Sequence, residues 1–178
     1  MIQGESKKKL NIIKLEVTPE QLTRARELYE FHNIKNSVTK GKGEIYGSIG
    51  EIVVMDYFGD RVNSKKSTRN NDMEIDNRKV EVKSKRTTAY VLPHYLCSVF
   101  ASSTHQQCQV YFFTRVTEDL KTAYLIGWLP RREFYDNATF YKKGEIDPES
   151  SKNRIHRFTD DCWNIKAIEL NPFKTIKE

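Results

Sequence analysis

Charged and apolar residues alternate along two neighbouring segments, 72–75 and 79–83, which are separated by a turn-forming tripeptide. This alternation predicts a β-hairpin with one apolar face and one charged face. Because successive side chains of a strand point to opposite faces, Asp72, Glu81 and Lys83 lie together on the charged face. Carboxylates placed in this way can hold a hard divalent cation such as Mg²⁺, and an ammonium group beside them can assist the hydrolysis of a phosphodiester.

The register of this hairpin is left open, since its two-residue turn can be placed in two ways. In one register Asp72 stands opposite Lys83, and Glu74 stands opposite Glu81. Two facing carboxylates repel each other unless a cation or a proton lies between them. In both registers we expect the charged face to be open and the other face to pack on the core with its apolar residues, Met73, Ile75, Val80 and Val82.

A helix that precedes the hairpin carries a third acid, Glu51. The spacing of its apolar residues predicts a helix from Glu44 to a stop at Gly59. Small residues flank Glu51 although glycine costs about 1 kcal/mol in a helix relative to alanine. Since Glu51 lies off the apolar stripe, a phosphate backbone could approach it. The small residues of this helix are Gly47, Ser48 and Gly50.

The hairpin lies in the most basic part of the chain. From Arg61 to Arg86 there are nine Lys or Arg residues and four Asp or Glu residues, so this segment contributes +5 (nine minus four) of the total charge of +6. A basic rim around a small acidic centre fits a polyanion held at a metal ion. Alternating charges are, however, also common on the solvent face of an ordinary hairpin.

Length and composition indicate one folded domain. The chain has 178 residues, of which 38% are hydrophobic and 30% charged, which argues against wholesale disorder and collagen. No apolar run approaches the roughly 20 residues of a membrane span, and no signal-peptide pattern follows the start, so we expect a cytoplasmic protein. The domain is expected to include a basic tail at about residues 1–9 and a loosely held tail at about residues 171–178.

The remaining elements are less strongly patterned. Thr18, Pro19 and the capping-box residue Gln21 predict the start of a helix that runs to about His32. Segment 92–107 is ambiguous and is interpreted as partly helical. Strands are predicted at residues 109–116, 123–129 and 165–170, and a short helix at residues 131–135.

Three cysteines, an odd number without a C-x-x-C motif, predict reduced thiols. His94 and Cys97 repeat the H-x-x-C spacing of His105 and Cys108, which could in principle hold zinc. Buried thiols and surface imidazoles are the favoured interpretation of this pattern, because zinc motifs are usually built on C-x-x-C.

The order of these motifs resembles that of the PD-(D/E)XK nuclease superfamily. Asn71-Asp72 is followed after eight residues by Glu81-Val82-Lys83 and is preceded by Gly50-Glu51 on a helix, with asparagine in place of the proline of the family motif. The resemblance covers about residues 44–86. It implies an α/β fold with a restriction-endonuclease-like core, in which a mixed β-sheet is flanked by helices in the order helix-strand-strand-strand-helix-strand.

The resemblance also implies roles for individual residues. Asp72 and Glu81 would bind the metal together with the backbone carbonyl of Val82, Lys83 would be the catalytic lysine, and Glu51 would assist directly or through water. The implied cofactor is Mg²⁺, for which Mn²⁺ is expected to substitute, and the implied partner is DNA. DNA contacts are expected from Ser48, Lys65, Lys66, Arg69, Lys85, Arg86 and Gln107.

These features predict an endodeoxyribonuclease of a prokaryotic cell or a phage-infected host, acting alone or as a homodimer, with no organic cofactor and no membrane partner. Three alternatives stay open. The first is an exonuclease or junction resolvase with the same motif. The second is an inactive nucleic-acid-binding protein on the same fold, and the third is a basic structural or assembly protein. Sequence preference and the choice between DNA and RNA do not follow from these residues.

Overall fold

The computed structural model describes residues 9–34, 45–64 and 71–176. In these segments the chain forms three α-helices and nine β-strands, and the strands are divided between two sheets. The helices are α1 (Pro19–Ile34), α2 (Ile45–Phe58) and α3 (Arg131–Asn137). The strands are β1 (Ile13–Glu16), β2 (Val62–Ser64), β3 (Met73–Ile75), β4 (Arg78–Thr87), β5 (Leu96–Phe100), β6 (Val110–Thr117), β7 (Thr122–Pro130), β8 (Thr139–Tyr141) and β9 (Cys162–Lys166).

The larger sheet contains six strands in the order β1-β7-β6-β4-β3-β2. Strands β4 and β6 are parallel, and all other neighbours in this sheet are antiparallel. A parallel pair requires a crossover connection. Here that connection contains β5 and a short 3-10 helix at Ala101–Ser103, so the ambiguous segment 92–107 forms no α-helix and only this one turn of it is helical. Strand β5 instead joins β9 and β8 in a smaller antiparallel sheet. The protein is thus a mixed α/β fold.

Each face of the larger sheet packs against a different layer. On one face, Val80 and Phe112 join a core with residues of α1 and α2. On the other face, Tyr111 and Phe113 join a second core with residues of β5, β9 and α3. In the parallel register, Glu81 pairs with Tyr111 and Lys83 with Phe113. The odd-numbered residues of β4 therefore point toward the smaller sheet, away from α2.

The two long helices form as their end signals predict. The Thr18 hydroxyl accepts a hydrogen bond from the Gln21 N–H at 3.1 Å, and the Gln21 side chain accepts one from the Thr18 N–H at 3.0 Å. This reciprocal pair is the capping box expected at the start of α1. Helix α2 ends where Gly59 adopts a φ of +53°, a conformation that favours glycine. Segment 35–44, which contains the expected loop between the helices, lies outside the described residues.

Gly50 is small because α2 lies directly on the sheet at this point. A Cβ atom added here would lie 2.6 Å from the Thr114 hydroxyl oxygen and 2.9 Å from the Ser84 Cβ. At Gly47, by contrast, an added Cβ would meet nothing within 4 Å. The close approach of a helix to β4 and β6 therefore explains Gly50, and access of a phosphate to Glu51 is not what requires it.

Replacing these two glycines should have opposite effects on stability. We expect Gly50→Ala to destabilise the fold by about 1–3 kcal/mol, because the added methyl group forces α2 away from the sheet. Gly47→Ala should instead stabilise it by up to about 1 kcal/mol, since alanine is the better helix former. Urea denaturation of both variants measures the difference. Equal destabilisation by the two substitutions would contradict this account of the packing.

The C-terminal segment is attached to the sheet, so the expectation of a loosely held tail is wrong for residues 171–176. Phe173 is 1% exposed and packs against the rings of Phe58 and Phe112, with centroid distances of 6.1 and 5.0 Å. The Trp128 indole N–H donates to the carbonyl of Pro172 at 3.1 Å. An aromatic side chain with this much apolar surface holds the segment in place although the sequence around it is polar.

One further expectation needs correction. The last strand ends at Lys166 and is followed by a 3-10 turn at Ala167–Glu169, so the strand expected over residues 165–170 is wrong beyond Lys166.

Cys97, Cys108 and Cys162 are free thiols and all are buried, as expected from the sequence. In the described segments, none of the helices is both long and apolar enough to cross a membrane.

Candidate active site

The hairpin adopts the register that closes on a turn at Asp76 and Asn77. Both residues have positive φ values, 48° and 61°, as a type I′ turn requires. Met73 then pairs with Val80, and Glu74 pairs with Lys79. The alternative register, with Glu74 opposite Glu81 and Asp72 opposite Lys83, is therefore wrong. Asp76 and Asn77 are residue types that tolerate positive φ, which is the physical reason for the turn position.

Asp72 lies immediately before β3 and reaches across to β4. Its backbone N–H donates to the Val80 carbonyl at 2.9 Å, and its carboxylate accepts a hydrogen bond from the Val82 N–H at 2.8 Å. The N–H and C=O of one strand residue point toward the same neighbouring strand. The Val82 carbonyl is therefore directed to the side of β4 on which Asp72 lies. This direction is needed if the carbonyl and the Asp72 carboxylate are to bind the same metal ion.

Glu81 is held by two donors on the opposite side of β4 from α2. Its Oε1 atom accepts a hydrogen bond from Lys83 Nζ at 2.6 Å and another from Gln106 Nε2. Glu81 is only 5% exposed, so the expectation of an open charged face is wrong for this residue. The crossover segment before β6 covers it. Sequence analysis selected the neighbouring Gln107 and not Gln106 as a site residue, because which of the two lies beside Glu81 depends on the long connection between β4 and β6.

Glu51 completes the cluster from α2. Burial and the negative charges of Asp72 and Glu81 raise its pKa well above the usual range. The positive charge of Lys83 opposes this shift. Burial and the charge of Glu81 likewise raise the pKa of Asp72 to about 8, although Lys83 and the Val82 N–H oppose the shift. The four residues that the sequence motif selects are therefore close enough to influence one another electrostatically.

The donor set fits a hard divalent cation. Three carboxylates and one ammonium group leave a net charge of −2 (one minus three) when all are ionised, and negative charge adds to burial in raising the pKa values of Glu51 and Asp72. Within the described segments, Gln106 Oε1 is buried without a hydrogen-bond partner, so an uncharged oxygen is also available beside Glu81. Among the described residues no three Asp, Glu, His or Cys side chains form a ready-made metal cage. Mg²⁺ typically takes only one or two carboxylates, which is the number that Asp72 and Glu81 supply.

The raised pKa of Asp72 predicts an unusual dependence of stability on pH. The folded protein keeps a proton on Asp72 up to about pH 8, whereas the unfolded chain releases this proton at about pH 4. Between these values the folded state binds more protons than the unfolded state, so its stability falls as the pH rises. Thermal melting in EDTA between about pH 5 and about pH 8 should show this fall.

The same experiment distinguishes Asp72 from other titrating groups. The Asp72→Asn variant should lose less stability over this pH range than the wild type. Mg²⁺ should raise the melting temperature of the wild type most at the alkaline end, because a cation then replaces the proton. Identical pH dependence of the two proteins in EDTA would contradict the assignment.

Gln106 is expected to act through Glu81. Replacing it with leucine removes a hydrogen bond that orients the Glu81 carboxylate. Loss of such a partner typically weakens metal binding by about 10–100-fold. Isothermal titration with Mn²⁺ would measure the effect, and Gln107→Leu serves as the control because that neighbouring side chain is exposed. Equal affinity of both variants would show that Glu81 does not need this contact.

The residues expected to contact DNA are distributed unevenly around the cluster. Lys85 lies next to Lys83 on the same face of β4, with its Nζ atom 3.7 Å from Glu149 Oε1. Arg86 is half exposed on the other face, 3.4 Å from Glu118. Ser48 is 5% exposed and offers almost no surface to a ligand. Gln107 is exposed, and Lys65, Lys66 and Arg69 lie outside the described residues.

Comparison of the chain with protein-family models and with curated proteins finds no match. The interpretation of the cluster of Glu51, Asp72, Glu81 and Lys83 therefore depends on its geometry and charge.

Proposed function

We propose that this protein is a Mg²⁺-dependent endonuclease of the PD-(D/E)XK type that hydrolyses phosphodiester bonds in DNA. The observation that carries the proposal is the convergence of charge where β3 and β4 meet. Glu51, Asp72 and Glu81 come from three different elements. Beside burial, the charges of Asp72 and Glu81 raise the pKa of Glu51, the charge of Glu81 raises the pKa of Asp72, and Lys83 is the cation among them. An ordinary solvated hairpin face would not bring a helix acid into this group.

The order and pairing of the elements also support the proposal. Helix α2 is followed by the antiparallel strands β2, β3 and β4, and β6 lies parallel to β4. A restriction-endonuclease-like core, in which β5 and a 3-10 turn replace the second helix, accounts for this arrangement. The two motif acids then lie where β3 begins beside β4, the place at which such a core would present them to a substrate.

Each residue has a distinct chemical task in this proposal. Asp72 and Glu81 would hold the cation together with the Val82 carbonyl, and Glu51 would assist directly or through water. The bound ion would supply positive charge to the attacked phosphate and lower the pKa of the water that attacks it. Lys83 would use its ammonium group to stabilise negative charge on the phosphate or to position the water. Gln106 would keep the Glu81 carboxylate in its orientation.

The basic surroundings of the cluster suit a polyanionic substrate. Lys85 follows Lys83 along the same face of β4, so a phosphate next to the cleaved bond could be held there, whereas Arg86 lies on the other face. A homodimer would supply one such centre for each strand of a duplex. We place this activity in the cytoplasm of a prokaryotic cell or of a phage-infected host.

Incubation of the protein with supercoiled, linear, single-stranded and branched DNA, with and without Mg²⁺ or Mn²⁺, tests the proposal. Cleavage should require the metal and should be lost in Glu81→Gln. The Glu74→Gln variant is the matched control, because Glu74 lies on the same hairpin face but pairs with Lys79 away from the cluster. Salt-sensitive DNA binding without cleavage of any substrate would favour an inactive nucleic-acid-binding protein instead.

A further inference from the structure

A cleft of about 220 Å³ begins at Lys83 and extends away from the carboxylate cluster. Lys83 and Lys85 of β4 form one wall, and Ser98 and Phe100 of β5 form the second. Residues 157–160 line the third side. Because the odd-numbered residues of β4 point toward the smaller sheet, the cleft is continuous with the site at which Lys83 would meet a phosphate.

The volume of this cleft limits what it can hold. A single water molecule needs roughly 10–15 Å³, and a cavity of about 150 Å³ already admits a benzene ring. A space of about 220 Å³ thus suits one planar ring system of the size of a nucleobase. A DNA duplex, whose major groove is itself wide enough to admit an α-helix, does not fit into this cleft.

Phe100 provides an apolar surface at the mouth of the cleft. The residue is 46% exposed, and its ring has no aromatic neighbour within the described part of the chain. Other exposed aromatic residues differ in this respect, since Phe140 packs on Trp163 and Tyr90 on Tyr124 at centroid distances of 5.0 and 5.5 Å. The Phe100 ring therefore has a face available for stacking on a base.

The polar groups of the cleft match the other parts of a nucleotide. Lys83, Lys85 and Arg157 are cationic, and phosphate oxygens are their natural ligands. Asp147 and Asp160 also line the cleft, and their carboxylates can accept hydrogen bonds from the amino groups of bases. Lys83 and Lys85 lie on the wall that continues from the active centre, so a phosphate can lie at Lys83 while its base reaches Phe100.

We propose that this cleft holds one unpaired nucleotide adjacent to the phosphate that is cleaved. The inference rests on the proposed nuclease function and specifies its substrate class, which is DNA with an unpaired nucleotide at the cleavage position. A base in an intact duplex would first have to leave the stack, and that step costs least where the base is already unpaired. Single strands, flaps and mismatched sites are therefore the preferred substrates.

The test compares three DNAs of one sequence: a single strand, a full duplex, and a duplex with one unpaired nucleotide. In Mg²⁺ the wild type should cleave the two substrates with unpaired nucleotides faster than the duplex. Phe100→Ala should slow their cleavage roughly tenfold or more, because base–aromatic stacking is lost. Phe100→Trp should retain the preference, and Phe140→Ala is the control for loss of an exposed ring outside the cleft.

A binding measurement in EDTA separates this inference from catalysis. The fluorescence of an oligonucleotide with a single 2-aminopurine should be quenched by the wild type and by Phe140→Ala, and less by Phe100→Ala. Phe100-dependent quenching without cleavage of any DNA would support the cleft but overturn the nuclease. Equal cleavage of duplex and unpaired DNA by the wild type and Phe100→Ala would overturn the cleft and leave the nuclease standing. Absence of both quenching and cleavage would overturn both.

Discussion

Replacing Lys83 with methionine should reduce DNA cleavage by about 10²–10⁴-fold while the protein stays folded. Methionine keeps much of the length of the side chain but removes the ammonium group, which is the only cation that contacts Glu81 among the described residues. Without it, the described residues leave no cation in contact with Glu81 to offset negative charge on the attacked phosphate. Single-turnover cleavage at saturating Mg²⁺ measures the loss directly, because it separates chemistry from product release.

Lys79→Met is the matched control for this prediction. Lys79 lies on the same strand and the same face, but it pairs with Glu74 near the turn and is exposed. Both substitutions remove one positive charge, so a general effect of charge on DNA binding should appear in both. We expect Lys79→Met to change cleavage less than about tenfold, since loss of one exposed charge has a modest and salt-dependent effect. Equal losses in the two variants would show that Lys83 has no special role.

Local signals made much of the fold predictable. The capping box at Thr18 and Gln21, the helix stop at Gly59 and the alternation in the hairpin each depend on neighbouring residues. They place α1, α2, β3 and β4 correctly to within a few residues. The motif residues Asp72, Glu81 and Lys83 also come together as expected, because the twofold periodicity of strands decides which side chains share a face.

Features that depend on long-range contacts were not predictable in the same way. Strands β5 and β8 become strands through pairing with β9, which is far away along the chain. Gln106 contacts Glu81 only because the crossover segment returns to the start of β6. The register of the hairpin was decided by backbone conformation at Asp76 and Asn77, and strand periodicity alone is the same in both registers.

A second expected result concerns the buried ion pair between Arg115 and Glu149. We expect Glu149→Ala to destabilise the protein by about 3–5 kcal/mol, because it leaves a buried cation without its partner. Arg115 is 4% exposed, and its Nη2 atom lies 2.5 Å from Glu149 Oε1. The same carboxylate oxygen accepts a hydrogen bond from the Leu96 N–H at 2.5 Å. Glu149 therefore ties the segment before β9 to both β5 and β6.

The ionisation of Glu149 agrees with this role. Burial alone would raise its pKa, but the charges of Lys85 and Arg115 and the hydrogen bonds from Arg115 and Leu96 lower it below the usual value. A carboxylate with a lowered pKa contributes stability above the pKa of the unfolded chain, and that contribution disappears as the pH falls through the folded pKa. The difference in free energy of unfolding between the wild type and Glu149→Ala should therefore shrink in acid.

Glu118→Ala is the control for this prediction. Glu118 also pairs with an arginine, Arg86, but the two side chains are 47% and 50% exposed, so its loss should cost no more than about 1 kcal/mol. The double variant Arg115→Met with Glu149→Leu should recover much of the stability lost in Glu149→Ala, because it removes the isolated charge. Urea denaturation of the three variants measures these differences. If Glu149→Ala destabilised the protein no more than Glu118→Ala does, the ion pair between Arg115 and Glu149 would not be what holds β5, one wall of the cleft beside Lys83, to the larger sheet.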